Sequence, residues 1–311
     1  AGGKTGKRPD RAVIVYSQKI KSIYPDSPVI IGGLEASLRR FAHYDYWDDA
    51  VRPSILFDSG ADILSYGMGE KQTVEIADRL NRGFPVESLY DIRGVCYAVD
   101  TKDYTPGPAV DLPSYERVKE SKKDYAIAAR KELEESDAVR GRVVIQRHGK
   151  KILIQNPPMT PLTTEELDRV YSLPYERYYH PSYEALGGVP GIQEVEFSIT
   201  HNRGCFGACN FCSIAFHQGR AITVRSMESV IDEAKRLTEN PRFKGYIHDV
   251  GGPTANFRLP SCKLQEKAGL CKNKKCLAPT PCKNLQVSHT EYIEMLRKLR
   301  ALPKIKKVFI R

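Results

Sequence analysis

Apolar and polar positions alternate along the first hundred residues with two different periods. Apolar strands are predicted over residues 28–33 and 61–66, and amphipathic helices over 11–21, 35–41 and 70–81. Each predicted strand ends in glycines. A tight turn accounts for these glycines better than a dinucleotide-binding fingerprint does. Strand, glycine turn and helix in this order form the unit of a doubly wound sheet. We therefore predict an α/β fold with a Rossmann-like N-terminal domain over residues 1–112.

The middle of the chain, residues 113–187, has the pattern of a linker region. A charged amphipathic helix is predicted over 114–138, and two β-rich runs, 142–146 and 151–155, flank a Gly149 turn as a hairpin. Thr163 begins a further helix with the residues of a capping box. The glycine-rich segment 187–191 then marks a boundary.

Residues 188–311 return to a strand–loop–helix order. Strands are predicted over 195–200, 246–250 and 305–310, and helices from Ser226 and over 290–301. Repetition of this unit predicts parallel strands with crossover helices, as in a (β/α) barrel. We expect the N-terminal part of such a barrel here, with a Cys-rich insertion over residues 261–283.

Composition limits the class of protein. Hydrophobic residues make up 41% and charged residues 28% of 311 residues, which is typical of a soluble globular chain. The longest apolar runs are four or five residues, far below the roughly 18 needed to span a bilayer. We expect no membrane partner and, since no export signal is seen at the N-terminus, a cytoplasmic location. The chain has no initiator Met and stops within a predicted strand, so we expect a fragment.

The net charge of +10 is concentrated at the C-terminus. Residues 262–311 hold thirteen Lys or Arg against three Glu, while the preceding residues are balanced. A basic stretch of this kind favours a polyanion such as RNA as a partner. A solvated loop and a Lys-rich helix face are the alternative explanation.

Seven of the eight cysteines lie between residues 205 and 282, and only Cys96 lies apart. Cys205, Cys209 and Cys212 directly follow a predicted strand, with spacings that let one short loop direct three thiolates to one centre. Gly204 allows the backbone of this loop to wrap around that centre, as does Gly207.

Soft thiolates select zinc, Cu(I) or iron–sulfur clusters. Structural zinc needs four ligands, and His201 or His217 is near enough in sequence to be the fourth. Three cysteines on a four-iron cluster instead leave one iron open, which indicates chemistry rather than scaffolding. Both interpretations stay open on the residues alone.

The three-Cys run, with Phe211 just before its last Cys, resembles the signature of the radical S-adenosylmethionine (SAM) superfamily. The strings at 29–40, 43–47, 202–212 and 251–256 resemble one branch, the YgiQ-type radical SAM proteins of unassigned function. The resemblance implies a [4Fe–4S] cluster on Cys205, Cys209 and Cys212, with SAM chelating the fourth iron. It also implies an electron donor such as flavodoxin or ferredoxin, and a 5′-deoxyadenosyl radical that abstracts a substrate hydrogen. On this basis residues 188–311 are a partial radical SAM core, while substrate and catalytic residues stay unassigned.

The resemblance further implies residues that contact SAM. Gly251 and Gly252 fall where the superfamily binds the SAM amino group through backbone, and Phe211 is expected near the adenine, with plain core packing as its alternative. Pro253 stands where many members have an acidic residue, which puts the detailed contacts in doubt. The branch also implies a B12-binding-like N-terminal domain. Because the chain has no Asp-x-His-x-x-Gly motif, we do not predict bound cobalamin.

A second group of cysteines follows in the basic insertion: Cys262, Cys271, Cys276 and Cys282. Four thiolates could close a zinc site or an auxiliary iron–sulfur cluster, and neighbouring Lys would offset their charge. Free, redox-labile thiols are the alternative.

Four other residues are weaker candidates. Arg203 and Arg225 flank the three-Cys loop and could meet the SAM carboxylate, with a surface ion pair as the alternative. His248 and Asp249 end a predicted strand and could transfer protons, with a structural role as the alternative. The competing function for the whole chain is a non-catalytic zinc- or cluster-containing nucleic-acid-binding protein.

Overall fold

A computed structural model describes residues 3–209, 211–253, 257–260 and 262–310. Its helices are α1 Ala12–Ile23, α2 Gly33–Leu38, α3 Ile55–Ser59, α4 Glu70–Asn81, α5 Tyr115–Glu120, α6 Lys122–Glu134, α7 Thr164–Ser172, α8 Ile214–His217, α9 Met227–Glu239, α10 Lys263–Ala268 and α11 Thr290–Arg300. Its strands are β1 Ile30–Ile31, β2 His43–Asp45, β3 Ala50–Arg52, β4 Ile63–Ser65, β5 Val95–Asp100, β6 Ala109–Asp111, β7 Val143–His148, β8 Lys151–Gln155, β9 Ser198–Thr200, β10 Asn202–Arg203, β11 Thr223–Val224, β12 Tyr246–Ile247, β13 Asp249–Gly251 and β14 Lys307–Val308. Residue 210 of the three-Cys loop, residues 254–256 and residue 261 lie outside the described residues.

The N-terminal half contains a six-stranded mixed sheet in the order β1-β4-β5-β8-β7-β6. The pairs β1–β4 and β6–β7 are parallel, and the three pairs between them are antiparallel. The doubly wound parallel sheet expected of a Rossmann-like domain is therefore wrong for this half. The strand–turn–helix order does occur, at β1–α2 and β4–α4, but β5 then pairs against β4 in the opposite direction.

The hairpin expected within the linker supplies two strands of this same sheet. β7 and β8 are joined by a tight turn at Gly149, whose φ is +58°, and such a turn requires antiparallel strands. Val144, Ile152 and Leu153 are fully buried. Because these apolar side chains must be shielded from water, the hairpin is part of the sheet and is not a linker between domains.

Local capping signals decide where several helices begin. The single helix expected over 114–138 is divided into α5 and α6, because Ser121 accepts a hydrogen bond from the N–H of Asp124 at 3.2 Å and begins a new helix. At α7 the expected capping box is confirmed. Thr163 Oγ1 accepts from the N–H of Glu166 at 3.2 Å, and the Glu166 carboxylate accepts from the N–H of Thr163 at 2.8 Å.

The C-terminal half is built on parallel strands. β13 pairs with β9 and β12 pairs with β14, both in parallel, and β12 and β13 are consecutive pieces of one extended segment. α9 and α11 cover these strands with an apolar layer of Val230, Ala234, Met295 and Leu299, all fully buried. The three strands are shorter than the sequence predicts, and the middle one is interrupted at His248.

The two halves meet beside the start of the three-Cys loop. His217 at the end of α8 lies 3.0 Å from the Ser37 hydroxyl of α2, and Arg203 forms an ion pair with Glu70 at the first turn of α4. A cavity of about 610 Å³ lies between the halves. None of the described helices has both the length and the apolar character that a membrane crossing demands.

Candidate functional site

The three-Cys loop begins where β9 ends and is closed at its base by the antiparallel pair β10–β11. Gly204 has a φ of +83°, and a Cβ at this position would overlap the carbonyl oxygen of Ala221, so no other residue fits. The N–H of Cys205 donates to the Gly219 carbonyl at 3.1 Å. The loop therefore closes on itself through its own backbone.

Two of the three sulfurs lie close to Gly207. A Cβ at Gly207 would lie 3.4 Å from Cys205 Sγ and 3.6 Å from Cys209 Sγ, so these sulfurs are within about 7 Å of each other. The N–H of Cys212 donates to the Cys209 carbonyl at 3.1 Å, which holds the third cysteine in the same turn. All three are free thiols. The missing side chain at Gly207 leaves space beside both sulfurs, and this space suits a group bonded to both.

A single zinc ion would need a fourth ligand beside the three cysteines. A four-iron cluster held by three cysteines instead leaves one iron open for a further ligand. The ring of His217 is engaged with Ser37 of the other half.

His201, the other candidate for a fourth zinc ligand, is enclosed by protein. It is 1% exposed, and both ring nitrogens are buried without a hydrogen-bond partner among the described residues. Burial, together with the positive charges of Arg258 and Arg225, lowers the pKa of His201 to about 3. His201 is therefore a neutral ring, and its centroid lies 4.8 Å from that of the Tyr292 ring.

The two phenylalanines of the loop have opposite environments. Phe206 is 2% exposed and packs with Ile222 and Cys276, so it anchors the loop to the protein. Phe211 is 93% exposed. Core packing, the alternative considered for Phe211, is therefore wrong, and its ring is open to a ligand at the outer face of the loop.

Gly251 and Gly252 lie directly beside the base of the loop. Gly251 ends β13 opposite Thr200 of β9, and its carbonyl accepts from the N–H of His201 at 3.0 Å. A Cβ on Gly252 would overlap the side-chain oxygen of Asn202. That oxygen is buried and has no partner in the described part of the chain, while the Asn202 amide donates to the Phe257 carbonyl at 2.7 Å. The two glycines thus bring their backbone into close contact with the loop.

Both arginines that flank the loop are engaged with protein groups. Arg203 pairs with Glu70 and lies over the ring of Tyr171. Arg225 is fully buried, pairs with Glu233 and donates to the Thr200 carbonyl at 2.9 Å. The surface ion pair considered for Arg225 is a buried one, and its guanidinium supports the end of β9 from beneath.

The two candidates for proton transfer, His248 and Asp249, lie where β12 ends and β13 begins. His248 Nδ1 is 3.1 Å from the Gln193 carbonyl, and its ring contacts Phe197 edge-on. Asp249 lies in β13, within the same strand as Gly251. A Cβ at Gly251 would lie 2.7 Å from Asp249 Oδ2, so this carboxylate lies beside the glycine at the end of β13. The ring of His248 is instead held by the Gln193 carbonyl and Phe197.

Sequence reasoning missed three residues that shape the site. Asn202 lies against Gly252, Tyr171 lies beneath both flanking arginines, and Arg258 donates to the Arg225 carbonyl at 2.6 Å and to Glu291 at 2.7 Å. Arg258 is an isolated polar residue in an irregular segment, so no periodicity or spacing identifies it. Asn202 lies in the string 202–212, which was its only signal.

The chain matches a protein family model and has curated relatives that are more than half identical to it in sequence. A family model described as "Radical SAM N-terminal" matches residues 1–198. A "UPF0313 protein" of Clostridium botulinum (strain Okra / Type B1) is 56% identical over 314 residues, which cover 100% of this chain and 48% of the relative. A "UPF0313 protein" of Clostridium perfringens (strain ATCC 13124) is 55% identical over 309 residues, covering 99% and 47%. The chain thus spans about half the length of the curated relatives that it matches.

Solved structures give a weaker likeness. The radical S-adenosylmethionine methyltransferase TsrM from Kitasatospora setae, with tryptophan and a SAM analogue bound, aligns with a TM-score of 0.39 and 18% identity, over 78% of this chain and 33% of TsrM. This likeness adds nothing to the assignment, which depends on the family model and on the sequence relatives.

Proposed function

Because the chain belongs to the Radical SAM N-terminal family, we propose that it is a radical SAM enzyme that binds a [4Fe–4S] cluster through Cys205, Cys209 and Cys212. The main support for this proposal is the glycine-shaped loop, which holds the sulfurs of Cys205 and Cys209 close to Gly207 and the backbone of Cys212 in the same turn. When bound, the cluster and SAM would supply reductive cleavage of the sulfonium and a 5′-deoxyadenosyl radical for an unidentified substrate.

The residues of the chain itself would bind and position these groups. The closed backbone of the loop would hold the thiolates in place before any metal arrives. Gly251 and Gly252 would allow the SAM amino group to approach the backbone, and the exposed ring of Phe211 would cover the adenine. Arg225 would keep the end of β9 rigid through its buried contacts, which is a positioning role.

The wider architecture enters the same proposal. The three parallel strand segments with α9 and α11 would be the first part of a radical SAM barrel, with residues 188–311 as its core and residues 1–112 and 113–187 preceding it. Cys209 and Phe211 are exposed, so a donor such as flavodoxin or ferredoxin could approach the loop from outside. Eight free thiols suit a reducing compartment, and we place the protein in the cytoplasm.

The first experiment compares a loop cysteine with a buried one. Cys209→Ala is expected to abolish iron and sulfide binding after anaerobic reconstitution, and with it the formation of 5′-deoxyadenosine from SAM under dithionite. Cys96→Ala, outside the loop in the N-terminal sheet, serves as the control and should keep both properties. If the Cys209→Ala protein still binds a four-iron cluster and cleaves SAM, the ligand assignment is wrong.

A second experiment uses the space at Gly207. In Gly207→Ala the new methyl group lies at ordinary contact distance from both sulfurs, so the metal-free fold should keep its thermal stability. Since the methyl group occupies space that the cluster needs, we expect about 10- to 100-fold weaker cluster binding, the range typical of disturbed metal surroundings. Gly191→Ala is the matched control, because a Cβ there meets nothing within 4 Å. Full iron occupancy in Gly207→Ala would contradict the proposed position of the cluster.

RNA is a second proposed partner, through the basic residues 262–311. Lys263, Lys267, Lys272 and Lys274 are all exposed, so their charges are available to phosphates. Binding of this kind weakens steeply with salt because counterions are released. A measured RNA affinity that does not change with salt concentration would rule out this surface, and binding without SAM cleavage would favour the non-catalytic alternative.

A further inference from the structure

The segment 262–289 contains four of the eight cysteines and very little core. The structure describes all of it, and its only regular element is α10. Leu270 and Cys276 are its only buried apolar side chains. A segment with so little apolar burial needs another source of stability, and in small units this is commonly a disulfide or a metal ion. All four cysteines are free thiols, so no disulfide supplies it.

Hydrogen bonds tie three of the four cysteines together. The N–H of Cys282 donates to the Cys276 carbonyl at 2.8 Å. The N–H of Gln265 donates to the Cys262 carbonyl at 3.1 Å, and the side-chain amide of Gln265 lies 3.7 Å from Cys276 Sγ. Cys282 is therefore linked to Cys276 directly, and Cys262 is linked to it through Gln265. Cys262 and Cys282 are 20 residues apart in the sequence.

The fourth cysteine is joined to the group through Arg220. The Arg220 guanidinium donates to the carbonyls of Cys271, at 3.5 Å, and Lys274, at 3.4 Å. Arg220 is 7% exposed, and its Nε is buried with no partner among the described residues. A buried cation with an unused donor beside the Cys-rich segment indicates that negative charge belongs there.

Cys276 is the buried member of the group, whereas Cys262 and Cys282 are half-buried and Cys271 is exposed. Cys276 itself packs against Phe206, the residue that follows Cys205 in the three-Cys loop.

We propose that Cys262, Cys271, Cys276 and Cys282 bind one zinc ion in a closed four-thiolate site that fastens the segment 262–289 against the three-Cys loop. Zn²⁺ replaces four thiol protons, which leave to solvent, and no electron is transferred. The resulting centre carries two negative charges, which Arg220 and the surrounding Lys offset. One ion needs less room than a cuboid cluster, and Cys276 is closely packed against Phe206 and Ile222. Since no three of the described ligand side chains converge before metal binds, ligation moves at least two of the four thiols, the exposed Cys271 among them, toward Cys276.

This inference does not depend on the proposed function, and its test separates the two sites. A chain with Cys205, Cys209 and Cys212 all changed to Ala is purified anaerobically and analysed for metals, alongside the unchanged chain. We expect the triple variant to hold one zinc per chain and no iron. The unchanged chain should hold one zinc and four irons. Exchange into Co²⁺ should give the visible absorption bands of tetrahedral cobalt thiolate.

Cys271→Ser is the sharpest variant, because Cys271 is exposed and its replacement does not disturb packing. It should lower the zinc affinity at least about tenfold, measured by competition with a chromophoric chelator, while Cys96→Ser should leave it unchanged. The proposal is overturned if the unchanged chain retains no zinc. It is equally overturned if the triple variant holds iron with acid-labile sulfide, which would assign an auxiliary cluster, or if the four cysteines are found as disulfides. Zinc without the four-iron cluster in the unchanged chain would refute the proposed function and leave this site standing.

Discussion

His201 makes the stability of the protein depend on pH in a defined direction. Its ordinary pKa of 6.5 falls to about 3 in the folded chain, because burial and the charges of Arg258 and Arg225 disfavour the protonated ring. The unfolded chain therefore binds a proton between these two values while the folded chain does not. Stability from this residue is complete above pH 6.5 and is lost as the pH falls toward 3.

The size of this effect follows from proton linkage. Between about pH 7.5 and about pH 5.5, the unfolded His gains most of one proton, and the free energy of unfolding drops by about 1.4 kcal/mol. The pKa of His201 in the unfolded chain sets this change in the free energy of unfolding, because its pKa in the folded chain lies well below this pH interval. The His201→Phe variant cannot titrate at this position and should lose this part of the pH dependence. Since both nitrogens of His201 are buried without partners, the apolar ring should cost little stability near neutral pH.

The assay is urea unfolding at the two pH values, followed by circular dichroism on metal-free protein. His148, His43 and His217 also have lowered pKa values, chiefly through burial, so the unchanged chain is compared with the variant rather than read alone. Val195→Ala, an exposed position without a titratable group, is the control and should keep the full pH dependence. An identical pH dependence in His201→Phe and in the unchanged chain would refute the reasoning.

Two further predictions concern the packing beneath the loop. Gly252→Ala should lower the free energy of unfolding by about 2 kcal/mol, because its methyl group overlaps the Asn202 side chain. In a chain that already carries Asn202→Ala, the same change should cost under about 1 kcal/mol. Chemical denaturation of the two single variants and the double variant measures both costs, and equal costs with and without Asn202→Ala would disprove the overlap. Glu233→Gln should destabilise the chain by about 3 kcal/mol, since it leaves the fully buried Arg225 without its counter-charge. The exposed Glu294→Gln should change stability by less than about 0.5 kcal/mol, and a similar result for Glu233→Gln would show that its ion pair does not support β9.

Features that depend on neighbours in sequence were predictable. The three-Cys loop closes through its own backbone, Thr163 and Glu166 cap a helix across three residues, and β4 runs through a glycine turn into α4. Each depends on short-range sterics and hydrogen bonds, which residue type and spacing determine directly. Family membership was predictable for the same reason, because contiguous strings carry it.

Features that depend on distant partners were not. Strand periodicity shows which face of a strand is apolar and does not show which strand lies beside it, so the mixed order of the N-terminal sheet needed the tertiary structure. The sequence makes Arg225 a candidate for binding a ligand carboxylate. The fold instead buries it among Tyr171, Thr200 and Arg258, all of which are far from it in sequence.

The sequence by itself determined the order of strands and helices, the caps, and a loop with three cysteines at the end of a strand. Only the tertiary structure decided that the linker hairpin belongs to the sheet, that Phe211 is exposed, and that Arg220 lies among the second group of thiols. The division has one physical cause. Hydrogen bonds and turns within a few residues are set by local geometry, whereas burial and the pairing of charges depend on which surfaces the whole chain brings together.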